Sequence, residues 1–314
     1  MYIGIDLGGT NIAAGLVNDD GKIICSASTP TLAPRAYGEI VKDMVKLSET
    51  LASEAGIEMN DIKAVGIGSP GSIDYATGTV VYANNLAFNN APIRAEFNKY
   101  YNIPVVLEND ANAAAYGEYI ATGDNAKVFL AVTLGTGVGG GIILDGNIFT
   151  GANGVGGEIG HFTLVHDGEL CSCGKKGCWE SYASVTALIN QTKEAIKNNP
   201  ESIMKDIVDK NGKVNGRTAF DAAKKGDKAG IAVVEQYIKY VADGIVSMIN
   251  IFQPEKIVIG GGISREGDYL LNPIKEYVER FDYNKQAKKT DIQIATLFND
   301  AGIIGAAFAA KNFA

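Results

Sequence analysis

Residues 1–17, MYIGIDLGGTNIAAGLV, and residues 128–144, VFLAVTLGTGVGGGIIL, carry one pattern twice: an apolar run, a glycine-rich turn and a second apolar run. Apolar and small residues on both sides of a short turn predict paired antiparallel strands. In the first stretch the strands fall at 2–6 and 12–17 around the turn 7–10, and a third at 22–28 follows the turn 18–21. In the second they fall at 128–133 and 140–144 around the turn 135–137, and Asp145-Gly146 signals a hairpin. A meander that recurs later in the chain predicts two related halves, joined near 122–125.

The rest of the chain fits the same scheme. The pattern predicts a helix over 37–55, a strand at 64–68, a turn-rich segment through Gly78, a short helix over 91–101, a buried strand at 105–107 and a helix over 111–120. The second half adds an insertion and several helices before a strand at 256–259, the Gly260-Gly261-Gly262 turn, a helix, a strand at 292–295 and a closing helix over 301–311. Gly, Asn and Lys over 198–226 read as exposed turns and solvated surface only. The pattern therefore gives an α/β fold class in two related halves.

At 314 residues, 46% hydrophobic and 20% charged, the chain is long enough for two domains with real cores. A net charge of −8 disfavours nucleic acid and anionic membranes, which both select a basic face. The longest apolar runs, such as 301–310, are about half of the ~20 residues that a spanning helix needs. The opening residues lack a basic segment followed by an apolar core, so a soluble cytoplasmic protein is expected.

Three of the four cysteines (Cys171, Cys173, Cys178) and both histidines (His161, His166) lie within GEIGHFTLVHDGELCSCGKKGCWE, residues 157–180. Three thiolates and an imidazole fill a tetrahedral zinc site and leave no position for water, which predicts a structural metal. A disulfide is the competing reading. Cys171 and Cys173 are too close in sequence to bridge easily, three is an odd number, and Cys25 lies far away in an apolar run as a small hydrophobe. His161 is the expected fourth ligand and His166 the outsider. Glu158 and Glu180, poor zinc ligands beside three thiolates, are left for another task.

The glycine clusters at Asp6–Asn11, Thr133–Gly141 and Gly260–Gly262 require a chemical reading. Turns with little side chain expose backbone N–H groups that bind phosphate oxygens, although each taken singly is equally a plain β-turn. Residues 135–140 satisfy G-x-G-x-x-G, but an apolar strand follows where the dinucleotide fingerprint demands a helix, and no Walker lysine is present. Two such turns at equivalent places in duplicated halves could grip one polyphosphate. Asp110, after a buried strand and at the start of a helix, reads either as an N-cap or as the carboxylate that accepts a hydroxyl proton in phosphoryl transfer.

These motifs together resemble the ROK family of bacterial sugar kinases. DLGGTNIAAGLV (6–17), GIGSPGSID (66–74), ENDANAAAYGE (108–118), TLGTGVGGGII (133–143), GEIGH (157–161), CSCGKKGCWE (171–180) and VIGGGIS (258–264) occur in order over essentially the whole chain. The ending CWE with ENDANAAA looks most like the family's glucokinases. The resemblance implies an actin-like ATPase (ribonuclease H-like) duplicated fold, with a smaller N-terminal α/β domain at 1–121 plus 301–314, a larger C-terminal one at 122–300 that carries the zinc-binding insertion at 157–180, and a cleft between the two. It also implies ATP-dependent phosphorylation of D-glucose to glucose 6-phosphate, with mannose, fructose or N-acetylhexosamine kinases of the family as rivals. A sugar-responsive regulator is a more distant alternative, since ROK repressors carry an N-terminal helix-turn-helix and here the first strand starts at Tyr2.

By the same resemblance, Asp110 is the general base. Gly71, Asn85, Asn109, Asp110, Glu158, His161 and Glu180 are the sugar ligands, with His161 also on zinc beside Cys171, Cys173 and Cys178. Asp6, Gly8, Gly9, Thr10, Thr133, Gly135, Thr136 and Gly137 cradle the ATP phosphates, Gly261 and Gly262 lie near the adenosine, and Mg2+ rides with the nucleotide near Asp6. Many relatives have Lys after Gly-Gly-Thr where this chain has Asn11, so no cationic clamp is assigned there. A homodimer or homotetramer is expected.

Overall fold

The computed structural model describes residues 1–123 and 125–313; position 124, within the expected junction, and position 314 lie outside the described residues. The apolar runs become strands because β-branched and aliphatic side chains alternate with glycine and alanine, which lets neighbouring elements pack at short range. In chain order the first elements are β1 (Tyr2–Leu7), β2 (Asn11–Val17), β3 (Ile23–Pro30), α1 (Tyr37–Glu54), β4 (Ala64–Ser69), β5 (Ser72–Asp74), β6 (Thr79–Ala83), β7 (Phe88–Ala91), α2 (Ile93–Phe97), β8 (Val105–Asn109) and α3 (Asp110–Thr122). Then come β9 (Val128–Leu134), β10 (Val138–Leu144), β11 (Asn147–Ile148), α4 (Glu180–Ala183), α5 (Val185–Asn198), α6 (Met204–Asn211) and α7 (Thr218–Ala223). The chain closes with α8 (Lys228–Phe252), β12 (Lys256–Gly260), α9 (Asp268–Phe281), β13 (Asp291–Ile294) and α10 (Ala301–Phe313).

Two five-stranded sheets repeat one order, β3-β2-β1-β4-β8 and β11-β10-β9-β12-β13. In each, a meander supplies three strands and two later strands extend the first of them. The first sheet pairs β1 antiparallel with β2 (Tyr2 opposite Val17) and parallel with β4 (Tyr2 opposite Ala64), and β4 runs parallel to β8. In the second, β12 and β13 are parallel, with Lys256 opposite Asp291. The duplication read from the two glycine turns is thus a duplication of topology.

The chain forms two compact units. Unit 1 comprises Met1–Phe129, Gly141–Gly157 and Thr296–Ala314; unit 2 comprises Leu130–Gly140 and Glu158–Ala295. In unit 1, α10 packs against the β1 and β4 face and along α3, and fully buried Ile3, Ile5, Leu7, Ile67 and Met44 form the core. The approach is close because small residues face each other. A Cβ at Gly4 would lie 1.9 Å from the Ile303 carbonyl oxygen, and one at Gly66 1.8 Å from that of Ala306. The chain re-enters unit 1 at Thr296, where the buried Glu118 carboxylate of α3 accepts N–H donation from Thr296 and Leu297, both at 2.9 Å. In unit 2 the core centres on fully buried Trp179, Phe220, Tyr237 and Ile245.

Three expectations are corrected. The segment 198–226 is not merely solvated surface: α6 and α7 bury Met204, Ile207, Ala219, Phe220 and Ala222. The turn-rich segment near Gly78 instead opens a three-stranded sheet in the order β5-β6-β7. The expected helix over 91–101 is shorter, since Pro92 starts it late and the Asn98 amide closes it on the Ile103 and Tyr101 carbonyls. No helix among the described residues is long and apolar enough to cross a membrane.

Candidate functional site

In unit 1, parallel strands β1, β4 and β8 end together, so that Asp6 lies opposite Gly68 and Gly68 opposite Glu108. The strand ends are a natural place for a site, since carboxylates there lie beside helix N-termini. Asn109 caps α3, accepting from Ala111 N–H (3.0 Å) and Asn112 N–H (3.2 Å). The capping role that the sequence left open for Asp110 therefore falls to its neighbour. Asp110, the first residue of α3, accepts one N–H from Ala111 at 2.9 Å.

Burial raises the Asp110 carboxyl above its ordinary value, and the Ala111 N–H works against that rise. Asp6 is pushed up to about 6, first by burial and then by the Asp110 charge beside it. Two acids thus share a poorly solvated corner, with the first turn of α10 against Asp6: a Cβ at Gly302 would lie 2.9 Å from the Asp6 carboxyl carbon. Like charges this close resist ionising together, which is the condition for a group able to take up a proton near neutrality.

Glu108 supports this corner. Its Oε1 accepts from Tyr75 Oη (2.7 Å), Asn112 Nδ2 (3.0 Å) and Asn109 N–H (2.7 Å), and burial raises its carboxyl and the Tyr75 phenol alike. Sequence reasoning missed Tyr75 and Asn112. No local periodicity marks either of them, since Glu108 lies on β8 and Asn112 on α3. Asn109 Nδ2 donates to the Gly71 carbonyl at 3.3 Å, and Gly71 needs its glycine: φ is +97° and a Cβ would lie 2.0 Å from the Tyr82 oxygen. In the first glycine turn Gly8 N–H donates to the Asn11 carbonyl (2.9 Å), Thr31 Oγ1 donates to the Gly8 carbonyl (2.7 Å), and a Cβ at Gly9 would touch Asn85. Unit 1 therefore brings together Asp6, Gly8, Gly9, Thr10, Gly71, Asn85, Asn109 and Asp110.

Unit 2 holds the remaining predicted residues. One ligand atom each from His161, Cys171, Cys173 and Cys178 lies within 4.8 Å of all the others. Cys171 Sγ and His161 Nδ1 are 3.6 Å apart, as are Cys173 Sγ and Cys178 Sγ. Bonds of about 2.3 Å to a tetrahedral ion place sulfurs about 3.8 Å from each other, and a disulfide requires about 2.05 Å, so the set fits zinc and all four cysteines are free thiols. His166 stands apart, exposed beside Asp167 (3.1 Å). Cys25 is half-buried in β3, with its Sγ 3.5 Å from the Leu51 carbonyl. The backbone shapes the metal loop: Gly174 N–H donates to the Cys171 carbonyl (3.0 Å), and Gly177 N–H to that of Glu169 (2.8 Å).

Glu180 begins α4 and is not idle. Its Oε1 accepts from Ser172 Oγ (3.2 Å) inside the cysteine loop, and its Oε2 accepts from Val138 N–H (3.0 Å) at the end of the second glycine turn. One carboxylate ties the cysteine loop to that turn, and a Cβ at Gly137 would fall 2.2 Å from it. In the same turn Thr186 Oγ1 donates to the Thr136 carbonyl (2.7 Å) and Val185 N–H to that of Gly135 (2.8 Å). Glu158 precedes a helical turn that ends at His161, whose N–H donates to the Glu158 carbonyl (3.1 Å). The third glycine turn abuts the second, since a Cβ at Gly261 would lie 2.1 Å from the Leu134 oxygen, and a Cβ at Gly260 4.0 Å from Thr133 Oγ1.

The ROK family model matches residues 2–312. A glucokinase of Halalkalibacterium halodurans is 38% identical over 312 residues, 99% of this chain and 94% of that protein. A glucokinase of Thermotoga maritima is 36% identical over 307 residues, 97% of this chain and 95% of its own. Among solved structures, a ROK family glucokinase from Streptomyces griseus in complex with glucose and AMPPNP matches with a TM-score of 0.80 at 35% identity, covering 99% of both chains. A match that runs from the first strand into the last helix, over a twice-used sheet order, leaves one assignment: the chain belongs to the ROK family and has its actin-like ATPase fold.

Proposed function

We propose that this protein is a glucokinase, transferring the terminal phosphoryl group of ATP to the 6-hydroxyl of D-glucose. Full-length similarity to glucokinases supports the reaction, and the half-buried Asp110 at the head of α3 carries the mechanism. Phosphoryl transfer passes through a loose transition state, so the base is needed chiefly to orient the hydroxyl and accept its proton late. Asp110 suits this task because burial has raised its affinity for a proton while Ala111 N–H holds one oxygen in place. Asn109, fixed as the α3 cap and donating to Gly71, offers a rigid polar group to the sugar, as does Asn85 beside Gly9.

Glu158, His161 and Glu180 are proposed to bind further ring hydroxyls. His161, Cys171, Cys173 and Cys178 are proposed to hold a zinc ion whose contribution is a crosslink that fixes the loop bearing those groups, with no part in the transfer. The turns of Asp6, Gly8, Gly9 and Thr10, and of Thr133, Gly135, Thr136 and Gly137, are assigned to the phosphates, with the Gly8 and Gly135 N–H groups closing the turns on the Asn11 and Gly137 carbonyls, and Gly261 and Gly262 are assigned to the adenosine. Magnesium accompanies the nucleotide near Asp6, whose ionisation a cation would favour. A cytoplasmic homodimer or homotetramer completes the reading.

The test is Asp110→Asn. It should lower kcat about 10²–10⁴-fold, the usual worth of a general base, while calorimetry shows glucose bound within a few-fold of the wild-type affinity. Near-normal turnover by this variant would remove Asp110 from the mechanism.

A further inference from the structure

We propose that Arg217, in the loop between α6 and α7, recognises the base end of the nucleotide; this rests on the ATP-dependent reading above and adds a specificity residue to it. The loop lies in the stretch whose composition signals only solvated surface, and the contacts of unit 2 give it another place. Val185 N–H donates to the Gly135 carbonyl at 2.8 Å, and Gly216 packs so closely on Val185 that an added Cβ would meet Val185 Cγ1 at 2.8 Å. The next residue, Arg217, reaches Glu266 with its Nε 3.9 Å from Oε1. Glu266 ends the helical turn that begins at Gly262. The second glycine turn, the third glycine turn and the Arg217 loop therefore converge, since Gly261 also abuts Leu134.

Two glycines on this convergence point to a ligand. A Cβ at Gly135 or at Gly262 would meet no atom within 4 Å, and neither residue has positive φ. Other glycines with open space beside them, such as Gly56, Gly174 and Gly267, owe their identity to positive φ. Among the described residues nothing explains glycine at 135 and 262, and the close approach of a bound molecule does.

The electrostatics decide what Arg217 does there. Its guanidinium is 74% exposed and lies near Asp221 (4.0 Å) and the nearly buried Glu266, which Lys224 also pairs. Two cations against two carboxylates leave little net charge to attract a triphosphate. A flat, solvent-facing guanidinium held loosely by two acids is suited to stacking on a heteroaromatic base. The phosphates are assigned to the turn of Thr133, Gly135, Thr136 and Gly137.

Calorimetric titration of wild type, Arg217→Ala and Arg217→Lys with ADP, adenosine and inorganic tripolyphosphate tests this. Arg217→Ala should weaken ADP and adenosine about tenfold and leave tripolyphosphate unchanged, and Arg217→Lys should restore little. In the coupled assay the KM for ATP rises in parallel, while kcat and the KM for glucose stay within twofold. Equal ADP affinity in wild type and Arg217→Ala overturns the proposal, as does a parallel loss of tripolyphosphate binding that lysine repairs. A wild type that binds ADP but phosphorylates no hexose refutes the kinase reading and leaves Arg217 to be judged on binding alone; a wild type that binds no ADP refutes both.

Discussion

Replacing Asp6 with Asn should make unit 1 more stable at neutral pH and not in acid. The Asp6 carboxyl is raised from 3.8 to about 6, mainly by burial and secondarily by Asp110. Below pH 3.8 the folded and unfolded chains both carry the proton and the wild type keeps its full stability. As the pH rises through about 6, the folded state must ionise a poorly solvated acid, and stability is lost. Roughly two pH units at about 1.4 kcal/mol each make that loss up to about 3 kcal/mol. Asparagine has the same shape and never ionises, so the variant's advantage should grow from near zero at pH 4 to as much as about 3 kcal/mol at pH 7.5. Part of it is Asp110's doing, so the gain should shrink when measured against Asp110→Asn. Hydrogen exchange on peptides from β1 and β4, without nucleotide or magnesium, reads unit 1 directly. The only tryptophan, Trp179, lies in unit 2, so fluorescence would follow the wrong transition. A variant less stable than wild type at pH 7.5, or an advantage equal at both pH values, would refute the argument.

Elemental analysis of the purified protein should find one zinc per chain, and its removal by a chelator should open 161–180 to protease; a metal-free protein with full glucose affinity and an intact loop would end the zinc assignment. Gly137→Ala should push Glu180 away from Val138 N–H and cost about 1–3 kcal/mol, the usual price of overpacking, read as a lower Tm of the Trp179 fluorescence transition. An unchanged Tm would show that the Glu180 tie is slack. Gly262→Ala adds a methyl group where the chain leaves room, so Tm should hold or rise slightly while the KM for ATP increases; a fall in Tm with unchanged KM would reverse that reasoning.

The strands were legible because their signal is local. Alternation and glycine turns mark β1, β2, β9 and β10 within a few residues each, and repeating that unit gives the meander half of both sheets, while the places of β4, β8, β12 and β13 come from the structure. The segment 198–226 misled because its short apolar pieces, Ile203-Met204, Ile207-Val208 and Ala219-Phe220, stand between turns rich in Gly, Asn and Lys, and the partners they meet reveal Met204, Ile207 and Phe220 as core. The same limit hid the site's supports. Glu108 was visible as an acid at a strand end, but its partner Tyr75 is 33 positions away in the chain, and the partners of Glu118 are 178 and 179 away. The chemistry-bearing residues were readable by type and motif. Their restraint by Tyr75, Asn112, Ser172 and Val138 was not, since hydrogen bonds across loops leave no periodicity.

The packing of α10 on β1, β4 and α3 constrains how the protein can be made. Most of unit 1 leaves the ribosome before most of unit 2, yet it lacks the helix that covers its sheet until Thr296 and beyond emerge, after all of unit 2. Until then Gly4, Gly66 and Gly117 present a smooth, uncovered apolar face, shaped to receive backbone and unable to fill the space themselves. Unit 2 can complete first. The nascent chain therefore matures in the reverse of its order of synthesis, and a ribosome stalled before residue 296 carries an uncovered, aggregation-prone sheet face.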